Sequence, residues 1–63
     1  MFTLKIKTDN AAFEGQYNES FEVARILRDV ADRVESNGAD TYMLNDANGN
    51  HVGFGKFAKR QRN

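Results

Sequence analysis

Residues 43–55 read MLNDANGNHVGFG, and the way this stretch turns decides the fold. The alternation of Asp46, Asn48 and Asn50 invites comparison with a calcium loop. A loop of the EF-hand type needs Gly at its sixth position and a bidentate Glu at its twelfth. Counted from Asp46, those positions hold His51 and Phe57, and only one carboxylate is present. The stretch is therefore a turn between two strands. A two-residue turn at Asn48-Gly49 would set Leu44 opposite Gly53 and Met43 opposite Phe54, splitting the apolar residues between two faces. A three-residue loop, Ala47-Asn48-Gly49, puts Gly49 in the left-handed position such loops require. It sets Leu44 opposite Val52 and Tyr42 opposite Phe54, all on one face. A slip of one residue moves a whole strand's side chains, so the apolar pattern selects the three-residue loop.

Upstream, Phe2, Leu4 and Ile6 alternate with Thr3, Lys5 and Lys7, the period of a half-buried strand. A connection of about a dozen residues follows, long for so small a domain; Phe13 and Tyr17 are expected to fold back over the end of the core. Ser20 can cap a helix. Val23, Ile26, Leu27, Val30, Ala31 and Val34 then recur at three-and-four spacing as one apolar stripe. Arg25 with Asp29, Asp29 with Arg33, and Arg28 with Asp32 stand four apart on the outer face, each pair worth about 0.2–0.5 kcal/mol. Asn37-Gly38 ends the helix, since both tolerate the left-handed conformation of a C-cap.

The expected fold class is α+β, in the order β-α-β-β: one helix packed on a three-stranded, mainly antiparallel sheet. The third strand is expected to pair with the first, giving strand order 1-3-2, in preference to a parallel pairing of strands 1 and 2 through a right-handed crossover. The core reads as Phe2, Leu4, Ile6, Val23, Leu27, Val30, Val34, Tyr42, Leu44, Val52 and Phe54. The chain has 63 residues, one domain near the lower size limit for unaided folding. That domain spans 1–57, with a basic, flexible C-terminal tail at 58–63.

A single helix covers one side of a sheet. The other side is expected to show Thr3, Lys5, Lys7, Met43, Asn45, His51, Gly53 and Gly55. Glycines inside a strand often mark a close approach by another backbone or a ligand. Thr3, Lys5, Lys7, Met43, Asn45, Gly53 and Gly55 therefore form the candidate protein-binding face.

Charge is balanced overall but uneven along the chain. Residues 1–55 hold five Lys/Arg against nine Asp/Glu, a net −4, and residues 56–63 hold four Lys/Arg and no acid. Lys56, Lys59, Arg60 and Arg62 are candidate nucleic-acid contacts, because cations on phosphates release counterions and Phe57 beside them could stack on a base.

Other classes are disfavoured. There is no Cys, hence no disulfide framework and no thiolate metal site. The single histidine, His51, lacks the companions a zinc site needs. Ser20 has no histidine partner nearby, and Asp29, Asp32 and Glu35 lie on a solvated helix face without a pocket to shift their proton affinities. No catalytic activity, cofactor or metal is expected. No apolar run approaches the roughly 20 residues that span a bilayer, and MFTLKIKTDN lacks the apolar core of a signal peptide. A cytoplasmic protein with no membrane partner is expected.

Taken together, DNAAFE (residues 9–14), EVARILRDVADRVE (22–35) and the D-x-N-G-N-x-V-G hairpin (46–53) resemble a family of very short proteins encoded by tailed bacteriophages and prophages. The likeness runs over residues 3–57. Where many such proteins carry an Arg before the hairpin Asp, this chain carries Asn45. The resemblance implies an accessory phage protein, without catalytic activity, in the cytoplasm of a bacterial host. Three functions follow as expectations. The first is a binding module that engages or inhibits a host protein of the defence or transcription machinery, through the open sheet face or the acidic helix face of Glu22, Asp29, Asp32 and Glu35. The second is a small nucleic-acid-binding protein using Lys5, Lys7 and the tail. The third is a self-associating structural protein, a homodimer with the glycine face as its seam.

Overall fold

A computed structural model describes residues 1–15 and 18–58. Strand β1 (Phe2–Ile6) leads through a 3-10 turn (Ala11–Phe13) to helix α1 (Asn18–Asn37), then to β2 (Thr41–Asn45) and β3 (His51–Phe57). The three strands form one sheet in the order β1-β3-β2, with both pairings antiparallel. The α+β class and the strand order are those the sequence predicts.

The hairpin loop also forms as expected. The Asp46 N–H donates to the Asn50 carbonyl at 2.9 Å and the Gly49 N–H to the Asp46 carbonyl at 3.0 Å. Gly49 is left-handed, with φ of 84°. The register beyond the loop differs. Asn45 pairs with His51, but Leu44 pairs with Gly53, Met43 with Phe54 and Tyr42 with Gly55. Val52 is an extra residue in β3, a bulge that sets two residues against one. It keeps Val52 in the core at 3% exposure and inverts every later residue of β3. Phe54, read as core, thus lies on the open face. Of the two glycines read as open-face residues, Gly55 turns toward the helix side, and Gly53 turns against the backbone of β1.

Close packing explains both glycines. A Cβ on Gly55 would sit 2.8 Å from Phe2 Cζ and 3.1 Å from Leu4 Cδ1. A Cβ on Gly53 would land on the Lys5 carbonyl oxygen. Phe2 reaches across this gap and meets the Phe57 ring at 4.6 Å.

The core consists of Phe13, Ile26, Val30, Leu44 and Val52, with Leu4, Ile6, Ala12, Val23 and Val34 against it. Phe13 folds back as expected; Tyr17 lies outside the described residues. Helix α1 begins at Asn18, whose N–H bonds to the Gly15 carbonyl at 3.3 Å. Ser20 is therefore inside the first turn rather than capping it. At the other end Gly38 is left-handed, with φ of 64°. The buried stripe is Glu22, Ile26 and Val30, residues four apart on one helix line. Leu27, read as core, is 44% exposed, because the helix is rolled toward β2 and the hairpin loop. Of the three expected ion pairs, Asp29 with Arg33 forms, at 3.1 Å, while Arg25 turns to Glu22.

Candidate functional site

The open face is built row by row across the sheet. The register aligns Thr3, Lys56 and Thr41 in one row and Lys5, Phe54 and Met43 in the next. Alternation places Lys7, His51 and Asn45 beyond them on the same face. Phe54 stands between two shallow depressions. One is lined by Lys5, Lys7, His51 and Gly53, the other by Thr3, Lys5, Lys56 and Ala58. Met43 is 54% exposed at the end of the central row.

The charge of this face is one-sided. The strands FTLKI, TYMLN and HVGFGKF contain no Asp or Glu. All nine carboxylate side chains lie in the helix and the connections. Lys5, Lys7 and Lys56 are exposed, so the face presents three ammonium groups around one aromatic ring.

Of the sequence-predicted face, Thr3, Lys5, Lys7, Met43 and Asn45 come together; Gly53 lines one depression with its backbone, and Gly55 is buried on the other side. Lys56, assigned to the basic tail, belongs to β3 and joins this face. Lys59, Arg60 and Arg62 lie outside the described residues. The residue that sequence reasoning missed is Phe54. Its signal was present in Gly53, since a lone glycine inside a strand suggests a bulge.

The opposite side holds the hairpin rigidly. Asp46 is buried, and its carboxylate accepts four hydrogen bonds. Its Oδ1 takes the Asn48 and Asn50 N–H groups at 2.9 Å each. Its Oδ2 takes the side-chain amides of Asn10 at 2.7 Å and Asn50 at 3.3 Å. Burial pushes the Asp46 carboxyl up, but these donors together outweigh it and hold the group below its ordinary value. Glu22, read as a surface acid, is 7% exposed. It accepts Arg25 Nε at 2.8 Å and the Ala47 N–H at 2.6 Å. The Arg25 guanidinium lowers the Glu22 carboxyl, against an opposing push from burial, and the Ala47 N–H lowers it further. Arg25 also donates to the Asn45 carbonyl at 3.1 Å. The acidic helix face thus loses Glu22 to a structural role and keeps Asp29, Asp32 and Glu35.

Among the described residues, no group of three or more His, Cys, Asp or Glu could hold a metal ion, and no helix is long and apolar enough to cross a membrane. No protein-family model, curated protein or solved structure matches the chain.

Proposed function

We propose that the protein is a non-catalytic binding module whose open sheet face takes single-stranded nucleic acid. The observation that carries this reading is the placement of Phe54 in the middle of a carboxylate-free face, between Lys5, Lys7 and Lys56. A base stacks on an aromatic face whatever its identity, and lysines beside it neutralise the phosphates. The depressions on either side of Phe54 leave room for neighbouring bases. A duplex fits this reading less well, because its bases are already stacked on one another.

The test is fluorescence anisotropy of a labelled single strand and a labelled duplex at two salt concentrations. The single strand binds more tightly, and added salt weakens it steeply. Phe54→Ala loses about 1–3 kcal/mol of affinity, the worth of one stacked base. Equal affinity for duplex and single strand, or no effect of Phe54→Ala, overturns the reading.

A second reading is favoured by the apolar pair Met43 and Phe54 on the same face and by the resemblance to accessory phage proteins. Here the face engages a host protein in a bacterial cytoplasm. It predicts a retained host protein whose capture is abolished by Met43→Asp and is insensitive to added single-stranded nucleic acid.

A further inference from the structure

The two edges of the sheet are finished differently. At the β2 edge, the Asn45 carbonyl is capped by Arg25, and α1 is tied to the adjoining loop through Glu22 and Ala47. The β1 edge has no such cover among the described residues. Its bonding direction follows from two contacts: Ala58 N–H donates to the Met1 carbonyl at 2.9 Å, and Lys7 N–H donates to the Val52 carbonyl at 2.7 Å. Antiparallel strands bond through alternate residues, so Thr3 and Lys5 also face β3. Phe2, Leu4 and Ile6 therefore aim their N–H and C=O groups out of the sheet. Beside this edge runs an apolar groove between β1 and α1, lined by Phe2, Leu4, Leu27, Ala31 and Val34. Phe2 is 38% and Leu27 44% exposed. A bare strand edge and an apolar groove thus lie side by side.

We infer that the occupant is a second copy of this chain, its β1 pairing antiparallel with β1 about a two-fold axis at Leu4. Charge bears on both the partner and the register. A lysine in an edge strand ordinarily opposes pairing, and an axis at residue 5 would set Lys5 against the partner's Lys5. The axis at Leu4 sets Lys5 opposite the partner's Thr3 and Lys7 opposite the partner's Met1, so no two lysines meet. The same axis puts Phe2 beside the partner's Ile6 and joins the two grooves into one apolar surface between the helices. Along the groove-side flank of α1, the helical repeat of about 100° per residue sets Arg28, Asp32 and Glu35 on one line, with Arg28 nearest the N-terminus. The two-fold reverses the partner's helix, so the cation of one flank faces the acids of the other. Arg28, Asp32 and Glu35 have no ion-pair partner within the chain among the described residues. The two copies extend one sheet, with both open faces on the same side.

Sedimentation equilibrium of the full chain from micromolar to millimolar concentration, with amide hydrogen exchange read by NMR, tests this inference. The expected mass rises from one chain toward two. The Leu4 and Ile6 amides exchange slowly in the concentrated protein and quickly on dilution, while those of Thr3 and Lys5 stay slow throughout. Leu27→Glu, on an exposed groove position, keeps the helix by circular dichroism and weakens association by about tenfold or more. A mass of one chain at every concentration overturns the inference. So does a dimer in which Leu4 and Ile6 exchange as fast as in the dilute protein. Neither readout involves nucleic acid, so the outcome is independent of the function proposed above.

Discussion

Glu22, one turn into α1, accepts the backbone N–H of Ala47 at the tip of the β2–β3 hairpin, 2.6 Å away. With Arg25 on its other oxygen at 2.8 Å, this carboxylate joins the helix to a loop 25 residues further along the chain. Glu22→Ala leaves the Ala47 N–H and the Arg25 guanidinium without their acceptor. The expected cost is about 1–3 kcal/mol, read as a lower urea midpoint with an unchanged slope.

Acid should expose the same link. The ordinary values for Glu22 and Asp46 are 4.5 and 3.8, and both groups are lowered in the folded protein. Their stabilisation is therefore complete above those ordinary values and is lost as pH falls through the lower folded-state values. Thermal midpoints should be level from pH 8 down to about 5 and then decline. Asp46→Asn, which cannot titrate, should show a shallower decline together with a lower midpoint at neutral pH.

The glycines of β3 should tolerate substitution unequally. Gly53→Ala drives a methyl group into the Lys5 carbonyl, which is backbone and cannot yield without opening the β1–β3 ladder. Gly55→Ala meets only the ends of Phe2 and Leu4, at 2.8 and 3.1 Å. Phe2, being 38% exposed, can swing away. Overpacking of this kind costs about 1–3 kcal/mol. Chemical denaturation should find Gly55→Ala folded and weakened, and Gly53→Ala the more damaged of the two.

Two aromatic truncations separate core from surface. Phe13 is 3% exposed, and Phe13→Ala should cost about 3–5 kcal/mol, most of the stability of a domain this size. Phe54→Ala, on the open face, should melt within a few degrees of the parent protein. If Phe54 belonged to the core, the two variants would be equally damaged.

Tyr42 offers a change in the other direction. Its ring is buried, with Arg33 Cζ 5.6 Å from the centroid, and among the described residues its hydroxyl has no hydrogen-bond partner. Burying a hydroxyl without a partner is unfavourable. Tyr42→Phe keeps the ring and removes the orphaned group, and should raise stability by up to about 1 kcal/mol, measured as a higher urea midpoint.

The comparison of sequence with structure turns on a few residues. Strand β1, the helix and its Gly38 terminus and the three-residue loop were legible, because each rests on a local period or a turn residue; the strand order followed from preferring antiparallel pairing to a crossover. The exchange of faces in β3 was not. Val52 and Phe54 share a parity, and parity assigns both to the core unless an extra residue intervenes. The bulge breaks the β2–β3 register and leaves the β1–β3 register even, a match of β3 to two neighbours at once that no local pattern reports. The roll of α1, which buries Ile26 and releases Leu27, was hidden for a similar reason. It follows from Glu22 and Arg25 reaching the hairpin, and a charged pair at that spacing reads as solvated surface until its partner backbone is known.

The bulge at Val52 also decides which side of the sheet each later residue of β3 presents. An even ladder from His51 onward would pair Val52 with Leu44 and Phe54 with Tyr42, returning Phe54 to the interior and bringing both glycines out. Deleting Val52 would instead leave Gly53 opposite Leu44 and Phe54 opposite Met43 in an unbroken ladder, so the aromatic, cationic surface outlasts the bulge. The choice between a recognising face and a blank one is thus held by the register β3 takes up as it leaves the hairpin.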